Sequence, residues 1–273
     1  MATAKKWNGT DIFHLEKPFG ARNGHFLSFP YGYAPTFHEY RMDNLSTRKT
    51  GAKILVGSMG EMFGDWIPDE LLEMVFAECE KYPQHTYFFL TKNPARYLKL
   101  ANAGKLPKRD NMWYGTTVPT EDTEYFFAYE YKTYINIEPM LGDFPFPQDL
   151  RVDWVVVGAE TKARKNPVVP KKEWIASLIQ ACDSHGVPLF MRNNLADLMG
   201  NDFMQFFPDI LTVKPELTIR QKKLLVDVCG FCKREMQKKE MHTITVRKGK
   251  YGQNKTIGFL CDECIEELRK KME

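Results

Sequence analysis

Four cysteines near the end of the sequence have the spacing of a metal site. They form two C-x-x-C pairs, Cys229 with Cys232 and Cys261 with Cys264, and 28 residues separate the pairs. Four thiolates are the full ligand set of a closed, tetrahedral zinc site, so we expect one structural zinc ion per chain. Two alternatives stay open, because the same cysteines could pair as disulfides in an oxidising compartment and iron accepts the same four sulfur ligands.

The residues around these cysteines predict a small, separate module. Residues 242–246 and 255–260 alternate in polarity like the two strands of a hairpin, and a helix is predicted to begin at Ile265. A knuckle, a hairpin and a helix in this order resemble a treble-clef zinc finger. We therefore divide the chain into a barrel domain at 1–213 and a zinc module at 214–273.

The predicted module is basic. Residues 214–273 contain 15 Lys and Arg against 9 Asp and Glu, although the whole chain carries a net charge of only +3. A cationic hairpin can contact nucleic-acid phosphates whatever the base sequence, and Arg247, Lys248 and Lys250 are the candidates for such contacts. The alternative is that these side chains are solvated and keep a small module soluble.

Polar side chains in the rest of the chain follow predicted strands at the points where the strands end. The set is Glu61, Asp65, Lys92, Thr116, Glu138, Glu160 and Arg192. In a barrel these positions would converge at one mouth. Glu138, Glu61 and Lys92 are the catalytic candidates, because carboxylates and amines can act as general acids or bases. Taken singly, each of these residues could instead be a helix cap or a member of a surface ion pair.

The elements that must position these side chains are buried strands. Apolar runs typical of strands lie at 53–56, 86–90, 112–116, 133–137, 154–157 and 187–191. Helices are predicted from Pro68 onward, at 94–102 and at 170–184. Strands that alternate with helical segments predict an α/β fold with a parallel sheet, and the polar or glycine-bearing strand exits favour a partial or complete β/α barrel. Residues 7–40 show neither the periodicity of a helix nor that of a strand.

Several segments resemble one known family, in consistent order over roughly residues 7–195. They read W-N at 7–8, F-P-Y-G at 29–32, P-T-F-H at 35–38, V-G-S-M-G-E-M-F-G-D-W at 56–66, F-L-T-K-N-P at 89–94, W-Y-G-T-T-V at 113–118, E-P-M-L-G at 138–142 and W-V-V-V-G at 154–158. The chain is similar to a radical-SAM-like family associated with phages and prophages, whose biochemical role is unassigned. This resemblance implies a radical-SAM-like β/α barrel.

The chain departs from this family at the loop that would hold an iron-sulfur cluster. In the family a C-x3-C-x2-C loop follows the Trp-Asn pair, and the corresponding positions in this chain are Ile12, Glu16 and Phe19. None of these side chains is a thiolate ligand, and residues 1–78 contain no cysteine, so we do not expect radical chemistry.

A ligand pocket is nevertheless implied. The resemblance assigns Ser58, Gly60 and Glu61 to the loop that holds the methionine amino group of S-adenosylmethionine, so this cofactor or a related nucleotide is expected. Thr116 and Glu160 are the further cofactor-binding candidates at the same mouth.

The composition predicts a globular protein without a membrane partner. Apolar residues make up 43% of the chain, no apolar run approaches the ~18 residues of a membrane helix, and the first six residues lack the apolar core of a signal peptide. A cytoplasmic location is expected.

Three functional hypotheses follow. The first is a cluster-less, radical-SAM-like protein of phage type that binds a nucleotide-like or nucleic-acid ligand at the barrel mouth, with the zinc module aiding recognition. The second is an enzyme that uses polar acid–base chemistry in the retained pocket. The third is a protein-interaction module that acts during phage infection.

Overall fold

The structure is a computed structural model. It describes residues 6–22, 25–144, 150–160, 168–212, 226–228, 235–237, 241–247 and 254–261, together with Glu263, Glu266 and Lys270. The chain divides into two compact units, Met1–Thr212 and Val213–Glu273, and each is described by itself. That the second unit is a zinc module stays a prediction.

Strands and helices alternate through the first unit, and strands dominate the described part of the second. The strands are β1 (Phe13–Leu15), β2 (Ala21–Arg22), β3 (His25–Phe26), β4 (Thr36–His38), β5 (Lys53–Val56), β6 (Thr86–Thr91), β7 (Met112–Thr117), β8 (Lys132–Ile137), β9 (Trp154–Val157), β10 (Leu189–Met191), β11 (Val226–Val228), β12 (Glu235–Gln237), β13 (Met241–Arg247) and β14 (Asn254–Cys261). The helices are α1 (Asn44–Thr47), α2 (Asp69–Glu80), α3 (Pro94–Asn102), α4 (Lys172–His185), α5 (Ala196–Met199) and α6 (Asp209–Thr212), with 3-10 turns at Glu39–Arg41, Asn193–Leu195 and Gly200–Asp202.

Strands β5 to β10 form one parallel sheet that curls into a half-barrel. Each strand lies beside its neighbour in the sequence, so the order across the sheet is β5-β6-β7-β8-β9-β10. All five pairings are parallel, which brings the carboxyl ends of the strands to one edge. The predicted α/β class and the partial form of the barrel are confirmed, and the six predicted strands agree with the observed ones to within two residues at each end.

Helices cover the convex face of the half-barrel. Helix α2 begins at Asp69 with two acidic residues in its first turn, where they are favourable beside the unpaired N–H groups. Helix α4 is capped at its carboxyl end by Gly186, whose φ of 64° is the left-handed conformation that favours glycine. Apolar residues of α2 and α3 pack on β6 and β7 in one buried cluster, and those of α4 pack on β8, β9 and β10 in another.

The stretch 7–40 contains short strands that the sequence did not predict. Strands β1 and β4 pair in parallel, with Phe13 opposite Thr36, and β2 and β3 pair antiparallel. These strands are two or three residues long, so the alternation that reveals a strand has no room to show in the sequence.

The second unit contains two antiparallel strand pairs. Strand β11 pairs with β12, and β13 pairs with β14, with Met241 opposite Cys261. The predicted pairing of 242–246 with 255–260 is therefore confirmed. The helix predicted at Ile265 falls almost entirely outside the described residues.

In the part of the chain that the structure describes, no helix is both long enough and apolar enough to pass through a membrane.

Candidate ligand-binding site

The amino-terminal half of the concave face is filled by aromatic side chains. Side chains of a strand alternate between its two faces, and this face carries Phe88, Trp113, Tyr134 and Trp154 from four successive strands. Ring centroids of contacting members lie 5.9 to 6.4 Å apart. Residues after β10, including Phe207, pack onto the same cluster. A ligand site on this face must therefore lie nearer the carboxyl ends of the strands.

Gly115 leaves room for the Tyr134 side chain to lie across the neighbouring strand β7. A Cβ atom at position 115 would lie 2.1 Å from Cζ of Tyr134. Because that space is free, the Tyr134 ring reaches over β7, and its hydroxyl donates a hydrogen bond to the Phe89 carbonyl at 3.1 Å. The glycine of the W-Y-G-T-T-V segment thus serves packing.

An ion pair joins the ends of β8 and β10. Nε of Arg192 lies 2.7 Å from Oε2 of Glu138, whose side chain is 19% exposed. Strand β9 runs between them and is followed by Gly158, where a Cβ atom would be 3.0 Å from Oε1 of Glu138 and 3.1 Å from Cδ of Arg192. Glycine at this position leaves room for the two side chains to meet across β9. The peptide bond from Glu138 to Pro139 is cis.

The surroundings of Glu138 disfavour its ionised form. Burial raises the pKa of this carboxyl, although Arg192 and a hydrogen bond from the Asn136 side chain act in the opposite direction. Asn136 is itself buried, with 5% of its surface exposed. A carboxyl group with a raised pKa beside an ion-pair partner at the end of a parallel strand is typical of acid–base sites. The sequence carried one signal for Asn136, since it is a polar residue in an apolar strand.

Glu61 has different surroundings from Glu138. Its Oε1 accepts hydrogen bonds from the Thr91 hydroxyl at 2.6 Å and the Phe63 amide at 3.1 Å, and its Oε2 accepts one from the Lys92 amide at 2.9 Å. A carboxylate has about four acceptor positions, so these bonds leave little capacity for a ligand. Glu61 fastens the loop after β5 to the end of β6, and its catalytic and cofactor-binding roles stay predictions.

Asn93 strengthens the same connection, which the sequence analysis missed. Its side-chain amide donates to the Phe63 carbonyl and to Oδ1 of Asp65, both at 3.1 Å. Lys92 contributes its backbone N–H to the network and leaves its side chain exposed at the end of β6.

The predicted set of strand-end residues therefore separates into local groups. Glu61, Asp65 and Lys92 share one network, and Glu138 pairs with Arg192.

Thr116 and Glu160 belong to neither group. Alternation turns Thr116 to the face opposite Gly115, and its buried hydroxyl accepts a hydrogen bond from the Phe126 amide at 3.1 Å. A carboxylate oxygen of Glu160 accepts one from the Val168 amide at 2.9 Å. Their cofactor-binding roles stay predictions.

A cleft of about 880 Å³ runs along β5. Its walls are residues 28–48 on one side, which we call the N-terminal wall, and β5, the loop after it and α2 on the other. Ser58, Gly60 and Glu61 all border the cleft, and Ser58 and Gly60 are exposed. Glu138 and Arg192 are not among its lining residues. A concave space of this size falls in the range of small-molecule sites.

Exposed apolar side chains concentrate around this cleft. Thirteen large apolar residues are exposed among those described, and five of them line it: Phe29, Tyr33, Leu55, Met59 and Trp66. Exposed apolar surface gathered in a concavity marks a binding site more often than scattered single residues do.

The positions that the resemblance assigns to cluster ligands have ordinary surroundings. Ile12 is buried and lines the cleft, the Phe19 ring lies 5.4 Å from that of Tyr31, and Glu16 is exposed.

The predicted zinc site lies mostly outside the described residues. Cys229, Cys232 and Cys264 are not described, and Cys261 is the last residue of β14. Among the described residues, no group of three His, Cys, Asp or Glu side chains is placed to hold a metal ion. The donor set fits zinc by its chemistry, and one zinc per chain stays a prediction.

The predicted nucleic-acid contacts also stay predictions. Arg247 is the last residue of β13 and lies opposite Asn254, whereas Lys248 and Lys250 fall outside the described residues.

Fold and site together define an α/β half-barrel protein with a cleft along its first sheet strand. The chain belongs to the family described as "Protein of unknown function (DUF5131)", which matches residues 16–207. This match says nothing of radical chemistry, phages or zinc, so those implications stay predictions. Comparison with curated proteins finds no match, and comparison with solved structures also finds none.

Proposed function

We propose that the protein binds a nucleotide-like ligand in the cleft along β5. The observation that carries this proposal is the cleft itself, with a volume of about 880 Å³, which opens beside the Ser58–Gly60 loop at the carboxyl end of a parallel strand. Ligands of α/β proteins bind at this end of the strands.

The lining suits a flat aromatic group joined to a polar one. Phe29, Tyr33 and Trp66 offer exposed ring faces, on which a base can stack whatever its identity. The Ser58 hydroxyl and the open backbone at Gly60, where a Cβ atom would meet nothing within 4 Å, offer polar groups beside them. S-adenosylmethionine, named by the radical-SAM-like resemblance, belongs to this chemical class. Residues 1–78 supply no thiolate, so binding without radical cleavage is proposed.

Equilibrium binding tests this proposal directly. Adenosine, AMP, ATP and S-adenosylmethionine are titrated into the full chain, and at least one is expected to bind with a stoichiometry near one and to raise the melting temperature. Leu55→Glu places a charge in the apolar lining and should weaken binding by about tenfold or more. Leu98→Glu is the matched control, because Leu98 is another exposed leucine and lies outside the lining. The proposal fails if no probe binds, or if the two variants bind equally well.

A second candidate function is acid–base catalysis at Glu138. It is supported by the raised pKa of Glu138 and by the exposed position of its partner Arg192. An anionic substrate that pairs with Arg192 would release Glu138 to act as a protonated acid. Lys92 follows β6 at the same edge, two strands or roughly 10 Å from the end of β8.

Turnover of an anionic substrate tests this candidate, because Glu138 and Arg192 lie outside the lining of the cleft. If Glu138 is the acid, Glu138→Gln should abolish turnover and leave affinity unchanged. A ligand that the wild-type protein does not convert would leave binding as the function.

The proposal includes a zinc module that aids recognition. Support comes from the β13–β14 pair, which ends at Cys261 of the second C-x-x-C pair. Metal analysis should give one zinc per chain, lost in Cys229→Ser and Cys261→Ser and retained in Cys79→Ser, because Cys79 is a buried residue of the first unit. Full zinc occupancy in Cys261→Ser would contradict the assignment.

The recognition role of this module is tested by the salt dependence of nucleic-acid binding. If the module contacts phosphates, alanine substitution of Arg247, Lys248 and Lys250 should reduce that salt dependence.

A further inference from the structure

Two arginines lie on the N-terminal wall of the cleft. Arg41 ends the 3-10 turn Glu39–Arg41, Arg48 follows α1, and both are exposed and line the cleft. Within the described residues neither forms an ion pair. With described residues Arg41 forms two long hydrogen bonds, of 3.4 Å each, to the neutral hydroxyls of Tyr40 and Ser28, and its Cζ lies 5.9 Å from the centroid of the Tyr40 ring.

Three other arginines of the half-barrel are paired. Arg96 lies 2.7 Å from Asp69, Arg109 lies 2.8 Å from Glu80, and Arg192 lies 2.7 Å from Glu138. The two cleft arginines thus differ from those three in keeping their guanidinium donors available.

The acidic residues that line the cleft do not neutralise these charges. They are Glu61, which accepts three hydrogen bonds from the loop network, and Glu78, which pairs with Lys81 at 2.6 Å. Lys53 adds a third cation to the lining, with its Nζ 4.4 Å from the centroid of the Phe207 ring. The lining therefore carries three cations against two carboxylates, and the wall's own acidic residues, Glu39 and Asp43, lie outside the lining.

His38, on the same wall, has a lowered pKa. Burial lowers the pKa of His38, and the charge of Arg41 lowers it further, while a hydrogen bond with the Ser28 backbone acts against them. Its ring remains neutral near pH 7 and can form a hydrogen bond without adding charge.

From these observations we infer that Arg41 and Arg48 hold the phosphate of the cleft's ligand, which is therefore a nucleotide instead of an uncharged nucleoside. The inference rests on the proposed binding function and specifies its substrate class. Guanidinium groups pair with phosphate oxygens through two parallel hydrogen bonds, a geometry that lysine does not offer. The apolar lining formed by Leu55, Met59 and Trp66 then takes the base.

The affinities of AMP and adenosine, measured by calorimetry with the full chain, test this inference. AMP is expected to bind about tenfold tighter than adenosine or better, because charge-assisted contacts to the phosphate are absent from the nucleoside. In the Arg41→Gln, Arg48→Gln double variant the AMP affinity should fall to that of adenosine, and the adenosine affinity should not change. Arg109→Gln removes the same charge outside the cleft lining and should leave the ratio as in the wild type.

The outcomes separate this inference from the proposed function. Equal binding of AMP and adenosine by the wild-type protein would overturn the phosphate site and leave the binding function standing. Inorganic pyrophosphate that binds in an arginine-dependent manner, with no binding of either AMP or adenosine, would keep the phosphate site and overturn the nucleotide function. If none of the three binds, the phosphate site falls, and the binding function falls with it unless ATP or S-adenosylmethionine binds.

Discussion

Two glutamates stand at the same edge of the half-barrel, and they differ in the partners that surround them. Glu61 accepts hydrogen bonds from Thr91, Lys92 and Phe63, which fix the loop after β5 to the end of β6. Glu138 has one guanidinium partner, and burial nevertheless raises its pKa. The position at a strand end thus predicts where a carboxylate lies, whereas its donors decide whether it supports structure or is available for chemistry.

The largest effect that this comparison predicts is at Glu61. Glu61→Ala removes three hydrogen bonds to a charged acceptor and should lower the free energy of unfolding by roughly 3 kcal/mol, measured by urea denaturation. Glu70→Ala is the control, since Glu70 is an exposed residue in the first turn of α2 and should cost about 0.5 kcal/mol. Equal losses in the two variants would remove the structural role of Glu61.

A smaller loss is expected at Thr91. This residue is buried, and its hydroxyl donates to Glu61 and accepts from the Asn93 amide at 2.9 Å. Thr91→Val should cost about 1.5 kcal/mol, and the cost should shrink when Glu61 is already alanine, because the two residues share a network. Additive losses in the double-mutant cycle would show that the two act independently.

Gly158→Ala tests the ion pair of Glu138, the second glutamate of the comparison. The new methyl group would crowd Oε1 of Glu138 and Cδ of Arg192 from about 3 Å, so the pair should separate at a cost of about 1 kcal/mol. An Arg192→Ala background should reduce that cost, since Cδ of Arg192 is then absent and Glu138 no longer has an ion pair to lose. A cost that persists unchanged in this background would place the strain in the backbone.

The smallest predicted effect is at Glu138, where substitution should increase stability instead of lowering it. The pKa of Glu138 is higher in the folded state than in the unfolded state, so its contribution to stability is complete below the unfolded pKa and is lost as the pH rises through the folded value. Glu138→Gln should therefore raise the free energy of unfolding at pH 7, by less than about 1 kcal/mol, and have no such effect near pH 4. Destabilisation at pH 7 would mean that the ion pair outweighs burial.

The sequence predicted the strands of the half-barrel well because they are continuous apolar runs. Residues 154–157 and 86–90 differ from the observed strands by one residue or none. Such runs are forced into the core, and their polar exits are therefore placed at one edge.

The sequence did not predict which residues contact the polar side chains at the strand ends. The contact of Glu138 with Arg192 depends on Gly158 in a third strand, and the network of Glu61 depends on Asn93. No sequence motif with these residue spacings predicts either contact. The N-terminal wall was missed for a related reason, because Arg41 and Arg48 lie in short turns and loops whose place beside β5 is decided by tertiary packing.

The central claim, that a nucleotide occupies the cleft along β5, is tested most directly by methyl NMR of the methionines. Met42, Met59 and Met62 line the cleft, whereas Met112 and Met191 are buried in the core and do not. With ¹³C-methyl-labelled protein and assignment by single Met→Leu substitutions, titration with AMP should shift the resonances of the three cleft methionines and leave those of Met112 and Met191 in place. Saturating AMP that shifts none of the three, or that shifts only methionines outside the cleft, would contradict the account.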